Sequence, residues 1–221
     1  MSDSQDHWLN VRQNMKNYDV RLGTATAQDY MHDPKHISFV ASRYKFTGKM
    51  VQDLDTVLEV GCGDAFGAPF IAQGCNTLHC ADIDEQQLED NRNRLGSMEK
   101  INFHYHDFRL APFPEKCDAV CLVDVIEHIF PEEEDVFVKN TIDSLNPTGV
   151  AVFGTPNITA DAYASPNSKI GHVNLKSHAS LKSMLAPYFH NIFMFGMNDE
   201  VLHTGYAPMC HYIWAVCAGR K

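Results

Sequence analysis

The chain has 221 residues, 44% hydrophobic and 21% charged, which suits one globular domain and excludes a disordered, collagen-like or disulfide-stapled chain. A formal net charge of −10 without any basic cluster makes nucleic acid an unfavourable partner. No apolar run approaches the roughly 18 residues of a membrane span, and residues 1–6 do not resemble a secretory signal. We therefore expect a soluble, cytoplasmic protein whose seven cysteines are reduced.

Two helices are predicted ahead of the first strand. The first is indicated by four side chains at near-helical spacing, Trp8, Val11, Met15 and Tyr18. The second begins at Asp33-Pro34, a favourable pair for the N-cap and the first helical position. Residues 1–50 are thus predicted to form a helical cap on a core of residues 51–221, and the chain to form one domain.

Beyond the cap, apolar runs of period two alternate with helix-period stretches, which is typical of a parallel sheet flanked by helices. The predicted strands cover residues 56–60, 77–81, 101–105, 119–124, 150–154, 191–197 and 209–218. The predicted helices cover residues 69–73, 85–95, 132–145 and 179–186. The expected fold is a Rossmann-like α/β domain with seven strands, mostly parallel. The last two strands pair as a hairpin and add an antiparallel edge.

Residues 155–176 are rich in Pro, Asn and Ser and are predicted to form a long loop. A loop of that length in a compact domain usually has a function, often as a lid over a substrate.

The strongest local signal is the segment Val57-Leu58-Glu59-Val60-Gly61-Cys62-Gly63-Asp64-Ala65-Phe66-Gly67. A strand leads into a glycine loop, and a helix follows. A dinucleotide-binding loop would have glycine at 66, whereas here the third glycine is Gly67, and the Gly-Lys-Ser/Thr of a phosphate loop is absent. The spacing therefore favours a ligand without a pyrophosphate and disfavours a nicotinamide enzyme, which stays as a residual alternative.

Two acidic residues at strand ends complete the pattern. Asp82 lies 21 residues after Gly61, where a carboxylate can accept from both hydroxyls of a ribose. Asp107-Phe108 follows the next strand and offers an acceptor for an exocyclic amine beside an apolar ring. Together they predict a nucleoside site.

Four segments in this order resemble the motifs of the class I S-adenosylmethionine-dependent methyltransferases, in particular the ubiquinone-biosynthesis-like branch (methyltransferase type 11, 12 or 23). They are residues 59–64, 78–84, 106–108 and 117–128, the last ending in Glu127-His128. Pro147-Thr148-Gly149 matches the family's Pro-Gly-Gly turn with one exchange. The resemblance spans residues 50–218 and implies S-adenosylmethionine as the cofactor and S-adenosylhomocysteine as the product.

Residue by residue, the resemblance also implies a cofactor site. Gly61 and Gly63, in the loop that also holds Cys62 and Asp64, would pack on the methionine part of the cofactor. By the same resemblance, Asp82 would hold the ribose, Ile83 would contact the adenine face and Asp107 would meet the adenine amine. Phe108 would lie beside the ring, and the Val123 carbonyl would bind the cofactor's amino group. Tyr30 and Arg43 precede the core where some relatives close over the cofactor.

Methyl transfer to a hydroxyl gains from a general base. The candidates at the carboxyl end of the sheet are, in order, His128, Asp124 and His172. No metal site is predicted, because His104 and His106, which share one face of a strand, lack further ligands at suitable spacing.

The acceptor is expected to be a small molecule. Asp124-Val125-Ile126-Glu127 replaces the motif with which enzymes commonly methylate amines of nucleic-acid bases. The polar side chains of residues 155–176, with Tyr30 and His36, favour O-methylation of a sugar or similar metabolite by a monomer or homodimer. N-methylation, methylation of a protein or peptide, and a non-catalytic cofactor-binding partner subunit remain as alternatives.

Overall fold

The computed structural model describes residues 3–221. Its strands are β1 Leu54–Val60, β2 Cys75–Asp82, β3 Ile101–Tyr105, β4 Cys117–Val123, β5 Leu145–Pro156, β6 Phe189–Asn198, β7 Val201–His203 and β8 Tyr212–Arg220. Its α-helices are α1 Asp3–Gln13, α2 Thr24–His32, α3 Pro34–Met50, α4 Ala68–Ala72, α5 Glu85–Leu95, α6 Glu134–Asp143, α7 Pro166–Gly171 and α8 His178–Leu185. Turns of 3-10 helix cover Ile126–His128, Ile158–Tyr163 and Ala207–Met209. Within residues 3–221, no helix is both long and apolar enough to cross a bilayer.

The strands form one sheet in the order β3-β2-β1-β4-β5-β8-β6-β7. The first five run parallel, and β8 lies antiparallel between β5 and β6. This confirms the predicted α/β fold and the pairing of the last two predicted strands. The predicted count of seven strands was wrong. The eighth strand, β7, has only three residues and pairs with the end of β6, so it is too short for an alternating pattern.

The central strands are buried on both faces. Val57 and Leu58, neighbours in β1, are fully buried but belong to different hydrophobic clusters on opposite faces of the sheet. Successive side chains of a strand point to opposite faces, so a strand with helices on both sides has a continuous apolar run. Burying such a side chain contributes about 1.5–3 kcal/mol. The strand that leads into the glycine loop is therefore anchored in the core on both faces of the sheet.

The N-terminal region has three helices instead of the predicted two. The first ends at Gln13, so Met15 and Tyr18 lie beyond it, and none of its residues is buried. The second, α2, has no clear apolar face and was not predicted. The third confirms the prediction from Asp33-Pro34 and buries Tyr44.

Residues 155–176 are not a loop throughout, contrary to the prediction. A 3-10 segment and α7 occupy much of the segment. Helix α7 forms because the Ser165 side chain accepts a hydrogen bond from the Ser168 amide and Pro166 occupies the first turn. Asn157 and Lys176 form a bridge that brings the two ends of the segment together. The segment thus forms an ordered cover beside the carboxyl end of the sheet.

Candidate active site

The glycine loop after β1 borders an open cavity. Gly61 and Gly63 have φ values of +70° and +53°, which glycine adopts without strain. A Cβ atom at Gly61 would lie 2.7 Å from a methyl group of Val125, whereas one at Gly63 would meet no atom within 4 Å. The loop therefore needs glycine at 61 for packing and leaves the space at 63 to a ligand.

The third glycine has a packing role. A Cβ atom at Gly67 would lie 1.9 Å from the ring of Tyr44, which packs against this backbone from α3. Gly67 precedes the first residue of α4. The departure from the dinucleotide spacing is thus explained by the contact between the N-terminal cap and the loop.

Asp82, at the end of β2, faces the glycine loop. Its Oδ2 accepts a hydrogen bond from the Gly63 amide at 2.9 Å, and its Oδ1 accepts one from the Asp84 amide at 3.0 Å. A carboxylate has about four acceptor sites, so each oxygen keeps capacity for one further donor. That capacity suits two adjacent hydroxyls.

Asp107 is held by Arg109. The guanidinium and the backbone amide of Arg109 donate three hydrogen bonds of 2.8–2.9 Å to the two carboxylate oxygens. These bonds hold the pKa of Asp107 below its usual value. Oδ2 of Asp107 accepts only one of these three hydrogen bonds, so it can accept a further one from an amine. Phe108, beside it, is 3% exposed and packs edge-on against Phe137.

A cavity of about 370 Å³ joins these features. Six of the predicted cofactor residues line it: Gly61, Gly63, Asp82, Ile83, Asp107 and Phe108. The Ile83 side chain is 53% exposed. Cys62 and Val123 are buried, and Asp64 accepts hydrogen bonds from the backbone and hydroxyl of Thr26 in α2. These three residues are not part of the cavity lining.

Asp124 follows β4 directly and has φ +58°, a conformation uncommon outside glycine. Its Oδ2 accepts a hydrogen bond at 2.9 Å from Arg43 in α3, and the Arg43 guanidinium lies 4.1 Å from the ring centre of Tyr212. Its other oxygen is buried without a hydrogen-bond partner. Burial opposes the charge on Arg43, but Asp124 and its other acidic neighbours raise its pKa, so the ion pair is formed.

A second cavity of about 430 Å³ lies between α3 and the ordered cover formed by residues 155–176. Its lining includes the following polar side chains: His36, Arg43, Glu127, Asn157, Asp161, Ser168, His172 and His211. Asp124 and His128 line both cavities. The two cavities therefore meet at two of the three predicted catalytic residues.

The third predicted catalytic residue, His172, lies beside His128, with 5.3 Å between the ring centres. Nδ1 of His128 lies 2.9 Å from the carbonyl oxygen of Gly171. Burial and the neighbouring His128 lower the pKa of His172, which favours its neutral form.

Glu127 is the residue of this site that sequence reasoning did not select. It is fully buried, and its Oε2 accepts a hydrogen bond from the Thr155 hydroxyl at 2.9 Å while Oε1 has no partner. Burial and then Asp124 raise its pKa to about 8. The signal that could have indicated it is an acidic residue between the apolar pair Val125-Ile126 and His128.

His104 and His106 are not paired with each other, and His106 lies just beyond the end of β3. His104 contacts His79, with 2.9 Å between Nε2 and Nδ1, and His106 bonds to the carbonyl of Ala111.

Residues 57–149 match the family described as "Methyltransferase domain". A probable S-adenosylmethionine-dependent methyltransferase of Mycolicibacterium smegmatis is 31% identical over 102 residues, which cover 46% of this chain and 38% of the relative. A ubiquinone biosynthesis O-methyltransferase of Rickettsia typhi is 27% identical over 140 residues, which cover 60% and 54%. The chain thus spans about half or less of the length of these relatives.

The structure of the N-methyltransferase NodS from Bradyrhizobium japonicum WM9, in complex with S-adenosylhomocysteine, superposes with a TM-score of 0.64. The sequences are 16% identical, and the match covers 83% of this chain and 88% of NodS. That likeness shows a shared fold. The domain match and the relatives named as S-adenosylmethionine-dependent methyltransferases indicate that residues 57–149 form a methyltransferase domain.

Proposed function

We propose that the chain transfers a methyl group from S-adenosylmethionine to a hydroxyl oxygen of a small polar acceptor, such as a sugar or a similar metabolite. The observation that carries the proposal is the meeting of the two cavities at Asp124 and His128. One cavity suits the cofactor, the other suits the acceptor, and the reacting atoms would meet at their common wall.

The first cavity has the chemistry of an adenosine site. Asp82 has free acceptor capacity for the ribose hydroxyls, and Asp107 has it for the adenine amine. Phe108 and Phe137 supply an apolar wall for the base. The open space at Gly63 leaves room for the methionine part. When bound, S-adenosylmethionine supplies a methyl group on a sulfonium sulfur.

Methyl transfer is an in-line displacement, in which the acceptor oxygen bonds to the methyl carbon while the carbon–sulfur bond breaks and the acceptor's proton leaves. Orientation of the two reactants therefore supplies much of the rate. His128 is the candidate base, because donation from Nδ1 to the Gly171 carbonyl leaves Nε2 as an acceptor. Asp124 and His172 are the other candidates.

The second cavity favours a small acceptor over a protein chain. It is bounded by α3 and the ordered cover, and its volume lies within the usual range for small-molecule sites. The polar side chains in its lining suit a molecule with several hydroxyl groups. The ubiquinone biosynthesis relative is named for O-methylation, which favours oxygen as the acceptor atom, whereas NodS is named for N-methylation. We propose a small-molecule acceptor, no nucleic acid partner, and a monomer or homodimer.

Isothermal titration with S-adenosylhomocysteine, with NAD as the control ligand, tests the cofactor. Wild-type protein is expected to bind the first compound and not the second. Asp82→Ala is expected to lose about tenfold or more in affinity, equivalent to about 1.4 kcal/mol. Asp55→Ala, at the opposite end of β1 and hydrogen-bonded to Asn76, is the matched control and keeps wild-type affinity. Equal binding by both variants would contradict the assigned site.

Transfer of label from methyl-labelled S-adenosylmethionine to separate panels of hydroxylated metabolites, amines and peptides tests the acceptor. Label is expected in the hydroxylated panel. Label confined to amines or peptides would support the corresponding alternative instead.

A further inference from the structure

We propose that Glu127, His128 and His172 bind a divalent transition-metal ion in the wall of the second cavity. The ion's role as the group that binds and activates the acceptor rests on the proposed function, whereas binding of the ion itself does not.

The three side chains already converge. One ligand atom from each, a carboxylate oxygen or a ring nitrogen, lies within 4.8 Å of the other two. A bound ion about 2.1 Å from each ligand holds such atoms about 3–4 Å apart, so small side-chain rotations complete the site.

Glu127 supplies an independent indication of a ligand. It is 0% exposed, and its Oε1 is buried without a hydrogen-bond partner. Leaving a polar oxygen of a buried carboxyl group without a partner is costly. Arg43, the cation that lines the same cavity, is paired with Asp124. An ion at this position would give the free oxygen of Glu127 its missing partner.

Hydrogen bonds hold the two histidines in positions that suit metal binding. Donation from Nδ1 of His128 to the Gly171 carbonyl fixes the ring and leaves Nε2 free. Histidine ligands almost always have such a bond from the other ring nitrogen. The backbone carbonyl of Glu127 accepts hydrogen bonds from the amides of Val173 and Asn174, at 2.9 and 3.0 Å. These bonds lock the segment that carries His172 against the one that carries the other two ligands.

The ligand set indicates the class of ion. Two imidazoles and one carboxylate suit first-row divalent ions such as Zn²⁺, Mn²⁺ and Co²⁺, while Ca²⁺ and Mg²⁺ prefer oxygen ligands. Three protein ligands leave coordination positions open. All three ligands line the second cavity, so the open positions face the proposed acceptor.

The chemical class of the acceptor follows from this geometry: a molecule with a hydroxyl that can bind the ion through oxygen. A metal-bound hydroxyl has a lowered pKa. Its proton leaves to water, its oxygen forms the bond to the methyl carbon, and the electron pair of the broken carbon–sulfur bond remains on sulfur. His128 then acts as a metal ligand rather than as the general base.

Titration of tag-free, EDTA-treated and dialysed protein with Co²⁺ tests the site, followed by calorimetry and by visible absorption of the bound ion. One ion per chain is expected, with a rise in melting temperature because the ion binds the folded state. His172→Ala removes a half-buried ligand at the end of α7 and is expected to weaken Co²⁺ binding about tenfold or more.

His211→Ala, in the same cavity but outside the ligand cluster, is the matched control and is expected to bind like wild type. Glu127→Gln is a second variant, tested after circular dichroism shows that it is folded. Absence of Co²⁺ binding by folded wild-type protein, or equal binding by His172→Ala and wild type, would overturn the proposal.

S-adenosylhomocysteine is titrated into the same samples. Cofactor binding without Co²⁺ binding rejects the metal site alone, and Co²⁺ binding without cofactor binding rejects the proposed function alone.

Discussion

Arg43 and Asp124 are 81 residues apart in sequence, and their side chains are joined by a hydrogen bond of 2.9 Å. This ion pair connects α3 to the end of β4 where the two cavities meet. It also helps to hold Asp124 at a positive φ, which a non-glycine residue adopts only when its surroundings compensate. The N-terminal cap is thus part of the site.

Replacing Arg43 with Met is expected to lower the free energy of unfolding by about 2 kcal/mol, because Asp124 is left without its cation in a partly buried place. Urea denaturation of the single variants and of the double variant with Asp124→Asn measures the coupling, expected to exceed about 0.5 kcal/mol. Lys139→Met, which breaks an exposed pair with Asp143, is the control and is expected to cost less than about 0.5 kcal/mol. Additive effects of the Arg43 and Asp124 variants would contradict the coupling.

Asp64→Ala is expected to destabilise the start of helix α2 rather than to weaken cofactor binding. The carboxylate accepts from the Thr26 amide at 2.8 Å in the first turn of α2, and loss of such a cap costs about 1 kcal/mol. Hydrogen exchange of the α2 amides is expected to accelerate, while affinity for S-adenosylhomocysteine changes by less than about threefold, or about 0.7 kcal/mol.

Asp84→Ala is the control for this variant, because Asp84 caps α5 in the same manner. It is expected to accelerate exchange in α5 and to leave α2 unchanged. A large loss of cofactor affinity in Asp64→Ala with unchanged exchange in α2 would instead support a role of Asp64 in cofactor binding.

Gly67→Ala is expected to destabilise the protein by about 1–3 kcal/mol through overpacking, because its Cβ atom would overlap the Tyr44 ring. The backbone there has φ −77°, which alanine adopts freely, so the effect is steric. Tyr44→Ala removes the ring, so in that background Gly67→Ala is expected to have almost no further effect on stability. Thermal unfolding of the four members of this cycle measures the coupling, and a full penalty in the Tyr44→Ala background would show that the contact is not the cause.

Glu59 is expected to make stability fall as pH rises. Burial raises its pKa to about 7, while in the unfolded chain it is near 4.3. Between these values the folded state holds a proton that the unfolded state has released, so the free energy of unfolding decreases with pH. The loss is complete above the folded-state pKa and amounts to at most about 4 kcal/mol, at about 1.36 kcal/mol for each unit of difference between the two pKa values.

Urea denaturation at pH 5 and pH 8 measures this effect. Glu59→Gln cannot titrate, so its stability relative to wild type is expected to be higher at pH 8 than at pH 5. Glu99→Gln, at an exposed position, is the control and is expected to follow wild type. Equal pH dependence in Glu59→Gln and wild type would show that Glu59 does not titrate in this window.

Several features of the fold could be predicted because their signals are local. The apolar run that ends at Val60, the glycines that follow it and Asp82 at the end of β2 are all visible in the sequence, and the Gly63 amide donates to Asp82 in the structure. The predicted glycine loop after β1 and the parallel sheet are confirmed. Helix α2 was missed because its apolar pattern is weak, and its contact with Asp64 comes from a distant segment.

The sequence by itself determined the α/β class, the position of the glycine loop and the family resemblance, since strand periodicity and motif spacing depend on neighbouring residues. The tertiary structure alone decided which side chains meet across the site. Arg43 reaches Asp124, and His172 reaches Glu127 and His128, because α3 and the cover of residues 155–176 pack against the carboxyl end of the sheet. Contacts between such distant segments depend on packing of whole elements and have no local pattern.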